Sequence, residues 1–303
     1  MTGLSLVVFF FIQGIFFIRF NAPTYDEAMH LAAGYSYLAT ADFRLEPQNP
    51  PLIKEFLALP LFLAYQFPFR TDTDAWHDGA AYQIGQHFVF RSTLSADRIM
   101  LFGRLPNLLL GGVIVGLTGW WAFRLWGTGA AVVAIALGCL EPNLIAHSSL
   151  VTTDIGASLF MLLTLYLLWE YHHIRSGWFL AGAGISLGVA LVCKFSTVLL
   201  LPIIALVMAL SLVLDGLDRH GSSVREKRRE LGQRWFKAAA ELLLILLLAA
   251  LVIPSVYFFH GFEPWLSGLD RFLTLAREGQ PAFFLGEYSY QGWWSYYIVA
   301  FLI

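Results

Sequence analysis

The sequence predicts an all-α integral membrane protein: a polytopic helical bundle with interfacial helices in a large first outer loop. Three observations carry that prediction. Of 303 residues, 58% are hydrophobic and only 13% charged, a balance that soluble domains do not have. Apolar runs of about the 20 residues needed to cross a bilayer recur at 3–20, 100–123, 129–147, 154–172, 177–193, 196–214 and 237–259, and an eighth begins near 292. Between the first two runs lies a long segment, 21–98, with helix-start signals of its own.

The first run has no basic residues ahead of it and no A-x-A-like site before Asn21, so it reads as an anchored helix rather than a cleaved signal peptide. In the segment that follows, Thr24-Tyr25-Asp26-Glu27 fits a capping box, with Thr24 as N-cap and Glu27 at the third helical position. That predicts a helix to about Ala39, stopping near Asp42. Pro51 suits a first helical turn, so a second helix is expected from there to about Tyr65. Leu52, Phe56, Leu59 and Leu63 give it an apolar face able to lie in the membrane interface. From Phe69 to His87 the composition turns polar, with Asp72, Asp74 and Asp78, and reads as a solvated loop. The final run, WWSYYIVAFLI, is about half a span, so the chain is expected to be truncated at its C-terminal end.

Sidedness follows from charge. The segment 215–237 carries Arg219, Arg225, Lys227, Arg228, Arg229, Arg234 and Lys237 out of 19 basic residues, which makes it a basic cytoplasmic loop. Counting spans from there puts 21–98, 146–153, the turn at Lys194 and 260–291 on the outer face. A net charge of −2 leaves no electrostatic footprint for nucleic acid. Cys139 and Cys193 sit in apolar runs and imply neither a disulfide framework nor a metal site.

Several titratable groups therefore meet at one water–lipid boundary. Asp26, Glu27 and His30 share the start of the first outer helix, and His30 is one turn from Asp26. Lys54 follows Asn49-Pro50-Pro51, and Arg104 lies one turn inside the second span. Glu141, His147 and Asp154 cluster between the third and fourth spans, where Thr152–Thr153 could cap the fourth, and Lys194 marks the next outer turn. The bland alternative is caps and hydrated interface residues. The chemical alternative is a carboxylate that takes a proton from an attacking hydroxyl and cations that hold a phosphate leaving group. A lipid-phosphate-linked sugar suits that boundary, because its tail stays in the bilayer while its head reaches the loop.

The stretch Y-D-E-A-M-H-L-A-A-G-Y-S-Y-L, then D-F-R-L and N-P-P-L-I-K, resembles the first outer loop of the polyprenyl-phosphate-dependent glycosyltransferases of the GT-C superfamily. The branch it resembles is the protein O-mannosyltransferase-like group, which includes aminoarabinose transferases acting on lipid A. EPNLIAHSSLVTTD, GVALVCKFSTVLLLP and GEYSYQGWW resemble its later landmarks, in order along the chain.

The resemblance implies a multi-pass enzyme of the bacterial inner membrane with its active site on the outer face. It implies transfer of a sugar from a polyprenyl phosphate to an acceptor hydroxyl of a protein, lipid or glycan, by an inverting displacement with Asp26 as base. Glu27 matches the second acid of the pair, Asp154 an acidic landmark, and Lys54 a donor-phosphate contact. His30, Arg104, His147 and Lys194 complete the expected substrate-binding set. Asn49 departs from the His that relatives often carry before Pro-Pro. No cofactor is expected with certainty, and a divalent metal held by Glu27, His30 and His147 stays open. Other readings are a transporter or flippase for a lipid-linked sugar, and an inactive truncated member; against transport, no internal repeat is present.

Overall fold

The computed structural model describes residues 2–217, 224–279 and 281–302. Among the described residues, five helices are long and apolar enough to cross a membrane. They are α1 (Thr2–Phe20), α6 (Ala96–Trp126), α9 (Asp154–Ile174), α11 (Leu200–Leu217) with the 3-10 turn Phe195–Leu199 ahead of it, and α12 (Val224–Val256). The expected 129–147 span is a broken one: α7 (Thr128–Leu140) and α8 (Pro142–Ser148) meet at 63°. Pro142 cannot continue α7, and the Glu141 side chain accepts from Leu144 N–H to cap α8. The run at 177–193 becomes α10 (Gly177–Leu191), a shorter apolar helix. The chain is a multi-pass, all-α integral membrane protein. Of the segment expected as the basic loop, 218–223 lie outside the described residues, and the chain is already helical from Val224.

The outer segment carries α2 (Tyr25–Thr40), α3 (Leu52–Tyr65), α4 (Asp74–His77) and α5 (Ala81–Phe90). Two glycines let α2 lie close against both neighbours. A Cβ on Gly34 would stand 2.0 Å from the Lys54 carbonyl oxygen of α3, and one on Gly85 of α5 2.8 Å from the Ala28 backbone of α2. Leu31, Tyr35, Ile53, Leu57, Leu61 and Val89 bury together where these helices meet. Phe56, Leu59 and Leu63 of α3 stay exposed, which suits a helix lying in the interface.

One expectation needs correction. The 69–87 stretch is not a plain solvated loop, because Trp76 buries against Phe69 under the Arg44 guanidinium and Gly85 docks α5 on α2. Polar composition misled because the burying contacts come from single residues spaced along it. After the amphipathic α13 (Glu263–Glu278), a short hairpin of β1 (Ala282–Phe284) and β2 (Glu287–Ser289) precedes α14 (Tyr296–Leu302). Leu285 and Gly286 both take positive φ, the backbone a two-residue hairpin turn requires.

Candidate functional site

The site starts with the helix cap. Glu27 is fully buried, and its carboxylate has five donors: Arg104 Nε at 2.8 Å and a second Arg104 guanidinium nitrogen at 2.7 Å, Val151 N–H at 2.8 Å, Thr24 N–H at 2.8 Å and Thr24 Oγ1 at 3.2 Å. Arg104, 1% exposed, spends its remaining N–H groups on the carbonyls of Ile18, Asn21 and Ala22. One bidentate pair thus joins the end of α1, the start of α2, the middle of α6 and the 149–153 turn. A charge pair this deep survives because every lone pair and N–H is answered.

Its neighbour Asp26 is the opposite case. The side chain is exposed, and no hydrogen bond or ion pair among the described residues engages its carboxylate. Helical geometry turns adjacent residues about 100° apart, so a cap that points Glu27 inward leaves Asp26 facing outward.

Asp154 opens α9, three residues beyond Val151, a stretch of chain that spans at most about 11 Å. The Glu27–Val151 hydrogen bond therefore ties the start of α2 to the turn that leads into Asp154. Asp154 pairs with Lys194, their side chains 45% and 32% exposed, so both remain open to a ligand. Thr153 occupies the N-cap position of α9 but makes no side-chain cap bond. His147 is exposed, and its carbonyl, with that of Leu150, accepts from Asn107 Nδ2, which pins the turn before Asp154.

A second buried cluster holds the turn between α2 and α3. Glu46, 2% exposed and at positive φ, receives His30 Nδ1 at 2.8 Å, Asn49 Nδ2 at 2.7 Å and Lys54 Nζ at 3.5 Å. Burial alone would raise its pKa, but the charges of Lys54 and His30 hold it down to about 2. Lys54 has no exposed surface and also donates to Tyr37 Oη, Glu46 O and Asn49 O, so it is committed inside the protein. Burial also lowers its own pKa. Next to it Glu55, 8% exposed with an unpartnered Oε1, is pushed up to about 8 by burial.

Sequence reasoning missed Glu46 because nothing in LEPQNPP marks an acid as buried; the basic partner eight residues on was the only signal. Asn49 Nδ2 donates to Glu46, so this position supplies a hydrogen-bond donor to the buried acid. Glu27 and His30 have other partners, and among the described residues no group of three or more His, Cys, Asp or Glu side chains could hold a metal. The convergence of Glu27, His30 and His147 on an ion, which the sequence left open, is not found among the described residues.

The remaining outer elements close around these groups. Leu52 N–H reaches Val192 O at 3.3 Å, and Trp265 Nε1 reaches Leu191 O at 3.0 Å. Gly268 lets α13 lie on the Pro47 carbonyl, where a Cβ would stand 2.4 Å away. Between α13, the end of α12 and the 40–51 turn lies a cavity of about 520 Å³, lined by Tyr37, Asp42, Arg44, Asn49, His260 and Glu263 among others. Asp42 and Arg44 pair with each other on its wall at 2.7 Å. Neither Asp26 nor Asp154 lines it.

The outer face thus carries an outward carboxylate at Asp26 beside the buried Glu27–Arg104 anchor, and a partly exposed Asp154–Lys194 pair. The model of the dolichyl-phosphate-mannose-protein mannosyltransferase family matches residues 2–265. No curated protein and no solved structure matches the chain. With every helix from α1 to α12 inside that match, the chain belongs to the dolichyl-phosphate-mannose-protein mannosyltransferase family, a family of membrane glycosyltransferases.

Proposed function

We propose that this protein transfers a sugar, mannose in the first instance, from a polyprenyl phosphate to an acceptor hydroxyl at the outer face of a bacterial inner membrane. Asp26 takes the proton from the hydroxyl as its oxygen attacks the anomeric carbon. The bond from that carbon to the phosphate oxygen breaks on the opposite face, the polyprenyl phosphate leaves with the electron pair, and configuration inverts. Lys194, positioned by Asp154, stabilises the phosphate charge, and His147 lies at the same rim for the sugar or acceptor. Glu27 and Arg104 hold Asp26 in place, and His30, Glu46 and Lys54 hold the turn beneath it. A protein is the acceptor favoured by the family. The cavity at Tyr37 lies eleven residues along α2 from Asp26, about 16 Å, so it suits a remote part of the acceptor rather than the reacting hydroxyl.

The observation that supports this reading is the unpartnered, exposed Asp26 next to a saturated Glu27. The test is transfer from a radiolabelled polyprenyl-phospho-mannose to a serine- or threonine-bearing acceptor by the full chain and by Asp26→Asn. Removing a general base should lower the rate by roughly 10²–10⁴-fold with no loss of thermal stability. Transfer at the wild-type rate would remove Asp26 from the mechanism.

A further inference from the structure

The end of the bundle opposite Asp26 carries a groove that the transfer reaction does not use. It has a volume of about 380 Å³ and runs between α6, α9, α11 and α12. Its walls are apolar, with Trp121, Leu168, Val207, Met208 and Leu212 among them. Its mouth is polar, at His172 and Arg175 where α9 ends. The basic segment that continues into α12 marks this end as the cytoplasmic one.

The charges at the mouth are unbalanced in one direction. Glu241 accepts from Tyr171 Oη and lies 3.7 Å from Lys237 Nζ, so its charge is answered. Arg175 stacks over the Tyr171 ring at 5.5 Å and has no carboxylate partner among the described residues. Deeper in the wall, the Trp121 indole N–H is buried with no acceptor. A buried unmatched donor is destabilising unless something answers it. Trp121 lies five residues inside the end of α6, about 7 Å below it, at the depth where a lipid's ester oxygens follow its phosphate.

From an apolar slot between membrane-spanning helices, a guanidinium at its cytoplasmic mouth with no carboxylate partner among the described residues and an orphan donor in its wall, we infer that the groove binds an anionic phospholipid of the cytoplasmic leaflet. The phosphate rests on Arg175 and His172, an ester oxygen accepts from Trp121, and one acyl chain lies between α9 and α11. Basic pockets between membrane helices on this side are a recurrent way to hold anionic headgroups. The lipid also fills the space beside α11.

The test needs no transferase activity, so its result is separate from the fate of the function proposed above. The full chain in mild detergent is titrated with phosphatidylglycerol and with phosphatidylcholine of the same acyl chains, and occupancy is read by native mass spectrometry. One unbalanced cation near the surface contributes about 1 kcal/mol, so phosphatidylglycerol should bind about fivefold more tightly. Arg175 sits at positive φ, which asparagine tolerates. Arg175→Asn should therefore keep the turn and bring the ratio of affinities to about one. Ser211→Trp, which fills the groove from α11, should lower occupancy by both lipids and gives a second reading if Arg175→Asn melts early. A diazirine-bearing phosphatidylglycerol should crosslink to α9, α11 and α12 around the groove. Equal affinity for the two lipids, an unchanged ratio in Arg175→Asn, or crosslinks centred elsewhere would overturn the inference.

Discussion

Glu27→Gln separates a positioning acid from a catalytic one. The substitution keeps size and one acceptor oxygen but removes the charge, and it turns an amide N–H₂ toward groups that are themselves donors. Arg104 stays buried with its charge answered only by three carbonyls. Removing one partner of a buried pair costs about 3–5 kcal/mol, and the Val151 and Thr24 contacts weaken along with it. At roughly 2 °C per kcal/mol for a chain of this size, the melting temperature should fall by about 6–10 °C. Cys139 and Cys193 are both fully buried, so a thiol-reactive dye reports the melt directly. Arg104→Met alone should cost a similar amount, while the double variant Glu27→Gln/Arg104→Met should melt above either single one, because no charge is then left unpaired. The reasoning fails if Glu27→Gln melts like the wild type while transfer is abolished, since Glu27 would then act on substrate.

Further outcomes follow from the same contacts. Glu55 has a folded pKa of about 8 against an ordinary value of 4.5, so its contribution to stability is full below pH 4.5 and is lost as pH rises toward 8. Glu55→Gln should thus melt like the wild type near pH 4.5 and later than it at pH 9, by at most about 5 kcal/mol; identical melts at pH 9 would refute the burial argument. Gly34→Val places side-chain atoms where the Lys54 carbonyl lies, so α2 and α3 must separate, and expression of folded protein in the membrane should collapse while Gly116→Val, which meets nothing within 4 Å, is tolerated. Lys194→Met should lower transfer at saturating acceptor and raise KM for the polyprenyl donor, with little change in melting, because the Asp154–Lys194 pair is partly exposed. A fall in stability without a kinetic effect would return the pair to a structural role.

How much of this was legible beforehand differs by element. The apolar runs, the capping box at Thr24 and the helix after Pro51 rest on local chemistry, namely hydrophobic length, a side chain reaching its own backbone and a fixed φ. Each could be read without knowing the rest of the chain. Glu141 was likewise legible as a cap. The hairpin at 282–289 was missed because three-residue strands leave too short a pattern to detect.

The acidic pair at Asp26–Glu27 and its place outside the first span were determined by the sequence alone, since two ionisable groups within the lipid are costly. The division of the pair was decided only by tertiary structure. Arg104, 77 residues away, and the Val151 N–H, 124 residues away, draw Glu27 inward. Nearer partners on the α2–α3 turn bury Lys54, through Glu46 eight residues away, while Asp26, Asp154 and Lys194 stay open to solvent. Spacing along one helix reports which face a side chain takes, but whether that face meets water or a guanidinium depends on what the other helices bring to it.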